Sequence, residues 1–296
     1  MTTSLNVAYI PEHFATPLFL AEKYGYYGEG ITVNFVPVIE GTGRLINLLN
    51  NGEVDIAIGL TEGFIADIAK GNETYKLVDT YVKSPLCWAI STGSKRDDLT
   101  SKTQLDGKTI GVSRIGSGSY IMSYVLAHDL NFKHQFEFKP LDNFKNLRDG
   151  VNNGTADSFM WEYFTSKKYY DNGEIKQIGE IYTPWPSWVI TVNKQLLTEK
   201  SQVITQFLNG LNKGINHFQT HNQEAIAWIA DNLDYTEEDA KQWLPTVSFN
   251  EKIGQAPIDW ENVVVKTKET LKLAGVLVDS DEVIDQRLNG GVVKTN

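Results

Sequence analysis

One segment of this 296-residue chain occurs twice. Leu45-x-x-x-Leu49-Asn50-Asn51-Gly52-x-x-Asp55 returns as Leu147-x-x-x-Val151-Asn152-Asn153-Gly154-x-x-Asp157, and every matching position is offset by 102 residues, as from Asp55 to Asp157. Each copy reads as a helix, a glycine C-cap and a turn into a buried strand. A chain that repeats such a unit at this interval is expected to form two similar α/β lobes. Facing each other, the lobes put the carboxyl ends of both sheets on one shared cleft, where open α/β sheets take ligands. The length agrees, since ~100–200 residues per domain gives about two units.

The first 180 residues alternate short apolar runs with amphipathic ones, the pattern of βα units around a mostly parallel sheet. Strands are expected at Asn6–Ile10, Thr32–Val36, Asp55–Gly59, Leu77–Tyr81, Thr109–Ser113, Phe136–Pro140 and Ser158–Trp161. Helices fall between them, the first opening at Thr16-Pro17, where proline suits an early helical position. The others are Gly43–Asn51, Gly63–Lys70, Ser119–Asp129, Asn143–Asn153 and Tyr163–Asp171. Beyond Ser201 the apolar spacing is helical throughout, over Gln202–Gln219, Gln223–Asn232, Glu237–Leu244 and Trp260–Ala274. Thr236 and Asp239 have the spacing of a capping box.

Charge and cysteine content exclude several functions. Acidic residues outnumber basic ones 37 to 27, for a net charge of -10. The 22 lysines are scattered and the arginines number only five, so nucleic acid is not the expected partner. The single Cys87 rules out an internal disulfide framework and a cysteine-rich zinc site. The pair His217 and His221 lacks the glutamate of a zinc-protease helix, since Phe218 follows the first histidine. No metal or cofactor is therefore expected. No run reaches the ~20 apolar residues of a membrane span, so no membrane insertion is expected. Met1-Thr2-Thr3-Ser4 precedes a strand-like stretch without a basic segment or apolar core, so a cytoplasmic location is the expectation for the chain as written. A removed leader would make it periplasmic or secreted, and only then would a transporter be its partner. Asn72-Glu73-Thr74 and Asn153-Gly154-Thr155 match glycosylation acceptors and matter only in a secreted chain.

Tyr9-Ile10-Pro11-Glu12-His13-Phe14-Ala15-Thr16-Pro17, followed by Phe19-Leu20-Ala21-Glu22, resembles the opening of type II periplasmic-binding-protein-like chains. The branch it resembles is the nitrate/sulfonate/taurine-type and thiamine-pyrimidine-precursor-type substrate-binding proteins. Gly52-Glu53-Val54-Asp55-Ile56-Ala57-Ile58-Gly59, Gly107-Lys108-Thr109-Ile110-Gly111-Val112 and Gly154-Thr155-Ala156-Asp157 look like that family's recurring segments in order. The resemblance implies an α/β fold of two lobes, two hinge crossovers and a C-terminal helical segment. The crossovers would lie near Ser84–Thr92 and Ser187–Asn193, with residues 1–88 and 189–296 in lobe I and 89–188 in lobe II. Such folds close over a small ligand by a hinge motion without covalent chemistry.

Ile115-Gly116-Ser117-Gly118-Ser119-Tyr120 follows a strand and opens a helix. Its glycines admit a ligand close to the backbone, and its free N–H groups and serine hydroxyls favour an anion. In the matching turn of the first lobe, His13 and Phe14 offer a donor and an aromatic face. Thr61 and Glu62 end one strand, Trp161 and Glu162 another. The carboxylates could accept bonds from an amine or a protonated heterocycle, and Trp161 could stack on a flat ring. Trp185, in the aromatic run Tyr182–Trp188, and Ser84, before the first crossing, complete the candidate set. Arg44 and Arg114 read as structural ion pairs, and Cys87 as a core residue.

These residues imply a non-catalytic binding protein that closes over a polar or anionic small molecule, either a thiamine-pyrimidine-like heterocycle or a sulfonate. The branch also resembles fungal thiamine-pyrimidine synthases, which use a histidine, a cofactor-bound lysine, iron and a cysteine-rich run. Ile58–Gly63 holds no lysine or histidine and Tyr182–Trp188 no cysteine, so that enzyme is the disfavoured alternative.

Overall fold

The computed structural model describes residues 2–294; of the start Met1–Ser4, Met1 lies outside the described residues. Strands β1 (Thr3–Tyr9), β2 (Ile31–Pro37), β3 (Ile56–Leu60) and β4 (Tyr75–Val82) belong to one sheet. The chain then crosses, and β5 (Cys87–Gly93), β6 (Thr109–Val112), β7 (Glu137–Pro140), β8 (Ser158–Glu162) and β9 (Ile175–Tyr182) build a second. It crosses back into β10 (Trp188–Asn193), which completes the first sheet. The strand orders are β2-β1-β3-β10-β4 and β7-β6-β8-β5-β9. In each sheet the strand after a crossing is slotted antiparallel between two others, while the βα strands pair in parallel. The fold is thus α/β in two lobes.

The crossings are shorter than the sequence suggests, residues 83–86 and 183–187. Most of Ser84–Thr92 and all but the first residue of Ser187–Asn193 are ladder strands, so Cys87 and Trp88 lie with the second sheet and Trp188 with the first.

Helices α1 (Thr16–Lys23), α2 (Thr42–Asn50) and α3 (Thr61–Ala69) belong to the first half, and α4 (Gly118–Asp129), α5 (Phe144–Asn153) and α6 (Tyr163–Asp171) to the second. Apolar residues at three- and four-residue spacing direct each helix onto its sheet. In α2 these are Leu45, Ile46, Leu48 and Leu49, all buried. Covered in this way, β3 is buried at every position, and its run Ile56-Ala57-Ile58-Gly59-Leu60 carries no polar side chain.

The tail is helical, with α7 (Lys194–Glu199), α8 (Ser201–Thr220), α9 (Asn222–Asn232), α10 (Glu237–Trp243), α11 (Lys266–Leu273, continuing a π turn at Glu261–Val265) and α12 (Asp281–Gly291). Helix α8 packs on α1, while α11 and α12 cover α3. The Thr236 hydroxyl caps α10 by accepting the Asp239 N–H at 3.0 Å. The Asp239 carboxylate turns instead to Lys167, at 3.1 Å, on α6 of the other lobe.

Three elements escape the sequence pattern, the short helix α7 among them. Helix α12 lies beyond the expected helices. Strand β9 is hidden because its buried isoleucines, Ile175, Ile178 and Ile181, recur every three residues. A bulge opposite Ile90 and Ser91 inserts Ile178 and breaks the period-2 alternation.

Candidate functional site

The carboxyl ends of β1, β3, β6 and β8 converge, with the start of α4 and both crossings, on one cavity between the lobes. Ile10 and Glu12 approach from the end of β1, Gly41 and Thr42 from the start of α2, and Leu60 from the end of β3. Lobe II contributes Ser113, Ser117, Gly118, Ser119, Trp161 and Glu162, and Leu86, Trp88 and Trp188 close the hinge side. The cavity measures ≈ 30 Å³. That is about the volume of one water, far below the ~300–1,000 Å³ of typical ligand pockets. The lobes are closed.

The lining carries two carboxylates and no lysine or arginine. A third carboxylate, Glu62, abuts it: a methyl placed on Gly118 would come within 3.0 Å of Glu62 Oε1 and 2.6 Å of Leu60 Cδ1. Only a glycine lets the start of α4 approach α3 so closely. The carboxyl next to this helix start is therefore the chain's own Glu62. Its Oε2 accepts the Trp185 indole N–H at 2.9 Å, and its Oε1 is buried without a partner. Burial pushes this carboxyl up to about 7, against the opposing pull of its own backbone N–H and of Trp185.

Further orphaned atoms gather here. Trp88 Nε1 and Trp188 Nε1 are buried donors without acceptors, on two lining residues. Both ring nitrogens of His13 also lack a hydrogen bond, with Nε2 3.4 Å from Glu162 Oε2. Buried polar groups left unmatched cost ~1–3 kcal/mol each, so such a concentration marks a place built for something else to complete.

The structure brings Ser117, Gly118, Ser119, Trp161 and Glu162 into the lining, as the strand-to-helix pattern suggests. Ser117 spends its hydroxyl as the cap of α4, and Trp161 stacks on Phe144 with centroids 5.3 Å apart. Other candidates lie elsewhere. His13 is fully buried between Tyr235 and Trp243, at 4.5 and 4.0 Å, because the tail folds back over the first turn. Phe14 packs on Trp188 and Trp243. The Thr61 hydroxyl donates to the Pro186 carbonyl, tying α3 to the second crossing. Ser84 accepts the Ser248 N–H at 3.0 Å, also at a crossing. Gly116 is outside the lining, in the turn before α4. Trp185 lies behind the hinge, on the wall of a separate surface pocket of ≈ 500 Å³, and reaches the site only through Glu62.

Sequence reasoning missed Glu12 as a site residue, although it directly precedes His13 and Phe14 in the first-lobe turn. Its Oε2 accepts the Thr165 hydroxyl at 2.8 Å, across the lobe boundary. Burial first, then the charge of Glu162, pushes its carboxyl up to about 8, against bonds from Thr165 and Trp161.

Comparison with known proteins places this geometry. A solved structure of the Candida albicans CA3427 gene product, described as defining a new family with the generic periplasmic binding protein fold, is 61% identical to the chain. The match covers 99% of this chain and 97% of that one, with a TM-score of 0.95. The chain belongs to this Ca3427-like family. The family model described as Ca3427-like PBP matches residues 88–181. More distant resemblances show the fold alone. The alkanesulfonate-binding protein SsuA from Xanthomonas axonopodis pv. citri, bound to MOPS, is 16% identical, over 99% of both chains, with a TM-score of 0.76. The periplasmic nitrate-binding protein NrtA from Synechocystis PCC 6803 is 12% identical, over 97% of this chain and 85% of that one, with a TM-score of 0.71. No curated protein matches the chain. These comparisons bear out the type II periplasmic-binding-protein-like fold.

Proposed function

We propose that the chain is a non-catalytic binding protein whose lobes open about residues 83–86 and 183–187 and close over a small ligand bearing both hydrogen-bond donors and acceptors. One observation carries this reading: Glu62 Oε1, Trp88 Nε1 and Trp188 Nε1 are buried without partners around the interlobe cavity. The two indole N–H groups would meet ligand acceptors, and the carboxyl of Glu62 a ligand donor. A flat heterocycle of the aminopyrimidine kind offers both and can lie between indole faces. A sulfonate fits less well, because Glu12 and Glu162 line the cavity and no cation does. Arg114 runs beside Gly43, outside the lining.

A cavity of ≈ 30 Å³ means that the ligand enters an opened form. Thermal-shift screening of pyrimidines, sulfonates and small carboxylates, followed by calorimetry, tests the reading. A specific ligand at 100 times its dissociation constant should stabilise the fold by about 2.7 kcal/mol. Sulfonate hits without heterocycle hits would reverse the choice of ligand, and steady conversion of a hit to product would overturn the non-catalytic role.

A further inference from the structure

The Thr165 hydroxyl is asked to serve more partners than it has protons. Its Oγ1 lies 2.8 Å from Glu12 Oε2, 3.0 Å from Glu162 Oε2 and 2.7 Å from the Tyr235 hydroxyl. A hydroxyl donates once and accepts twice. If Thr165 donates to one carboxylate and accepts from Tyr235, the other carboxylate faces an oxygen lone pair at hydrogen-bond distance. That contact bonds only if the second carboxyl carries a proton. If Thr165 donates to Tyr235 instead, both carboxyls need one. Glu12 follows β1 and Tyr235 precedes α10, whereas Glu162 and Thr165 belong to lobe II, so the proton spans the lobe boundary.

We infer that the closed, empty protein holds one proton in the Glu12–Thr165–Glu162 bridge and that this proton clamps the lobes together. The inference rests on the hinged binding reading above and adds the regulation of that site. Its sign follows from the Glu12 carboxyl, held up to about 8 by burial and by Glu162. Opening hydrates Glu12 and returns it to the ordinary carboxylate range. The closed form therefore binds the extra proton between ~4.5 and 8, and the open-to-closed ratio rises about tenfold per pH unit across that window, levelling above it.

Other ionisable groups face the bridge. His13 is 3.4 Å from Glu162, on the lobe I side. Cys87 on β5 feels Glu162 but is itself pushed up to about 12 by burial, so it stays neutral here. On α6, Lys167 pairs with Asp171 and Asp239, and Lys168 with Asp234, which keeps both cations occupied. Glu62, next to the cavity, titrates within the same window.

Small-angle scattering of the ligand-free protein from pH 5 to 9 tests the clamp, with circular dichroism as the check on folding. The wild type should be compact at pH 5 and expand as the pH rises towards 8. Glu12→Gln, whose amide N–H donates where the acid proton did, should stay compact to pH 9. Thr165→Val, which removes the bridging hydroxyl, should be expanded already at pH 6. A wild-type radius that does not change from pH 5 to 9 would overturn the clamp. Expansion of Glu12→Gln in parallel with the wild type would do the same, because opening driven by Glu62 persists in that variant. The experiment uses no ligand, so an empty binding screen removes the binding reading while a pH-dependent radius still stands.

Discussion

At the entry to β3 the Asp55 carboxylate accepts the backbone N–H of Asn6 at 2.7 Å, and at the entry to β8 Asp157 accepts that of Thr109 at 2.9 Å. The backbone repeats the match: Asp55 N–H donates to Asn6 O and Asp157 N–H to Thr109 O. Both turns thus lock a new strand onto its parallel neighbour, β3 onto β1 and β8 onto β6. At the far end of each strand the likeness ends. The 102-residue offset places Glu162 opposite Leu60 and Glu62 opposite Phe164, so the two glutamates are not equivalent. Glu162 caps α6, accepting the Thr165 N–H at 2.7 Å, and is engaged across the lobe boundary. Glu62 sits within α3 and keeps one oxygen free of partners. The scaffold is duplicated and the rim is not, and under the two proposals above one carboxylate belongs to the clamp and the other meets the ligand.

The largest expected effect separates those two roles. Glu62 has a folded value raised to about 7, so between ~4.5 and 7 the folded protein holds a proton that the unfolded chain has lost. Stability therefore falls as pH rises through that window, by up to about 3 kcal/mol for this group. Urea unfolding at pH 5 and pH 8 should show a smaller loss in Glu62→Gln than in the wild type, the remainder being the Glu12 share. An unchanged loss would mean that Glu62 is not the free carboxylate described above.

A smaller effect tests the duplicated scaffold. Asp55→Ala and Asp157→Ala each leave a strand N–H without its acceptor and should each cost about 2 kcal/mol. Asp157 also pairs with Arg96 at 2.8 Å, but that pair is partly exposed and adds at most ~1 kcal/mol. Near-equal denaturation midpoints would support the equivalence of the two turns. A gap well beyond the Arg96 contribution would break it.

The scaffold was readable because it is local: a glycine after a helix, an aspartate before a strand and leucines one helical turn apart are all sequence neighbours. The site was readable only in part. Ser117, Gly118 and Ser119 follow from a strand-to-helix turn, whereas the fate of His13 is decided by Tyr235 and Trp243, more than two hundred residues away in the chain. Likewise nothing local tells that the Trp185 indole faces Glu62 while those of Trp88 and Trp188 meet no acceptor. Those orientations come from packing between lobes, which no spacing rule encodes. Strand β9 fails for the opposite reason, since its bulge imitates a helical spacing.

The smallest effect probes the turns themselves. Gly52 and Gly154 have φ of +69° and +83°, and a methyl added to either would meet nothing within 4 Å. Alanine at these positions therefore pays backbone strain alone, about 1 kcal/mol each, with no cavity or clash to confuse the reading. Gly52→Asn and Gly154→Asn should cost less, since asparagine tolerates the left-handed region. Paired urea titrations of all four variants would compare the halves at their simplest point. If alanine destabilises one turn and leaves the other untouched, the two turns do not share a backbone requirement, and the likeness of the lobes rests on Asp55 and Asp157 alone.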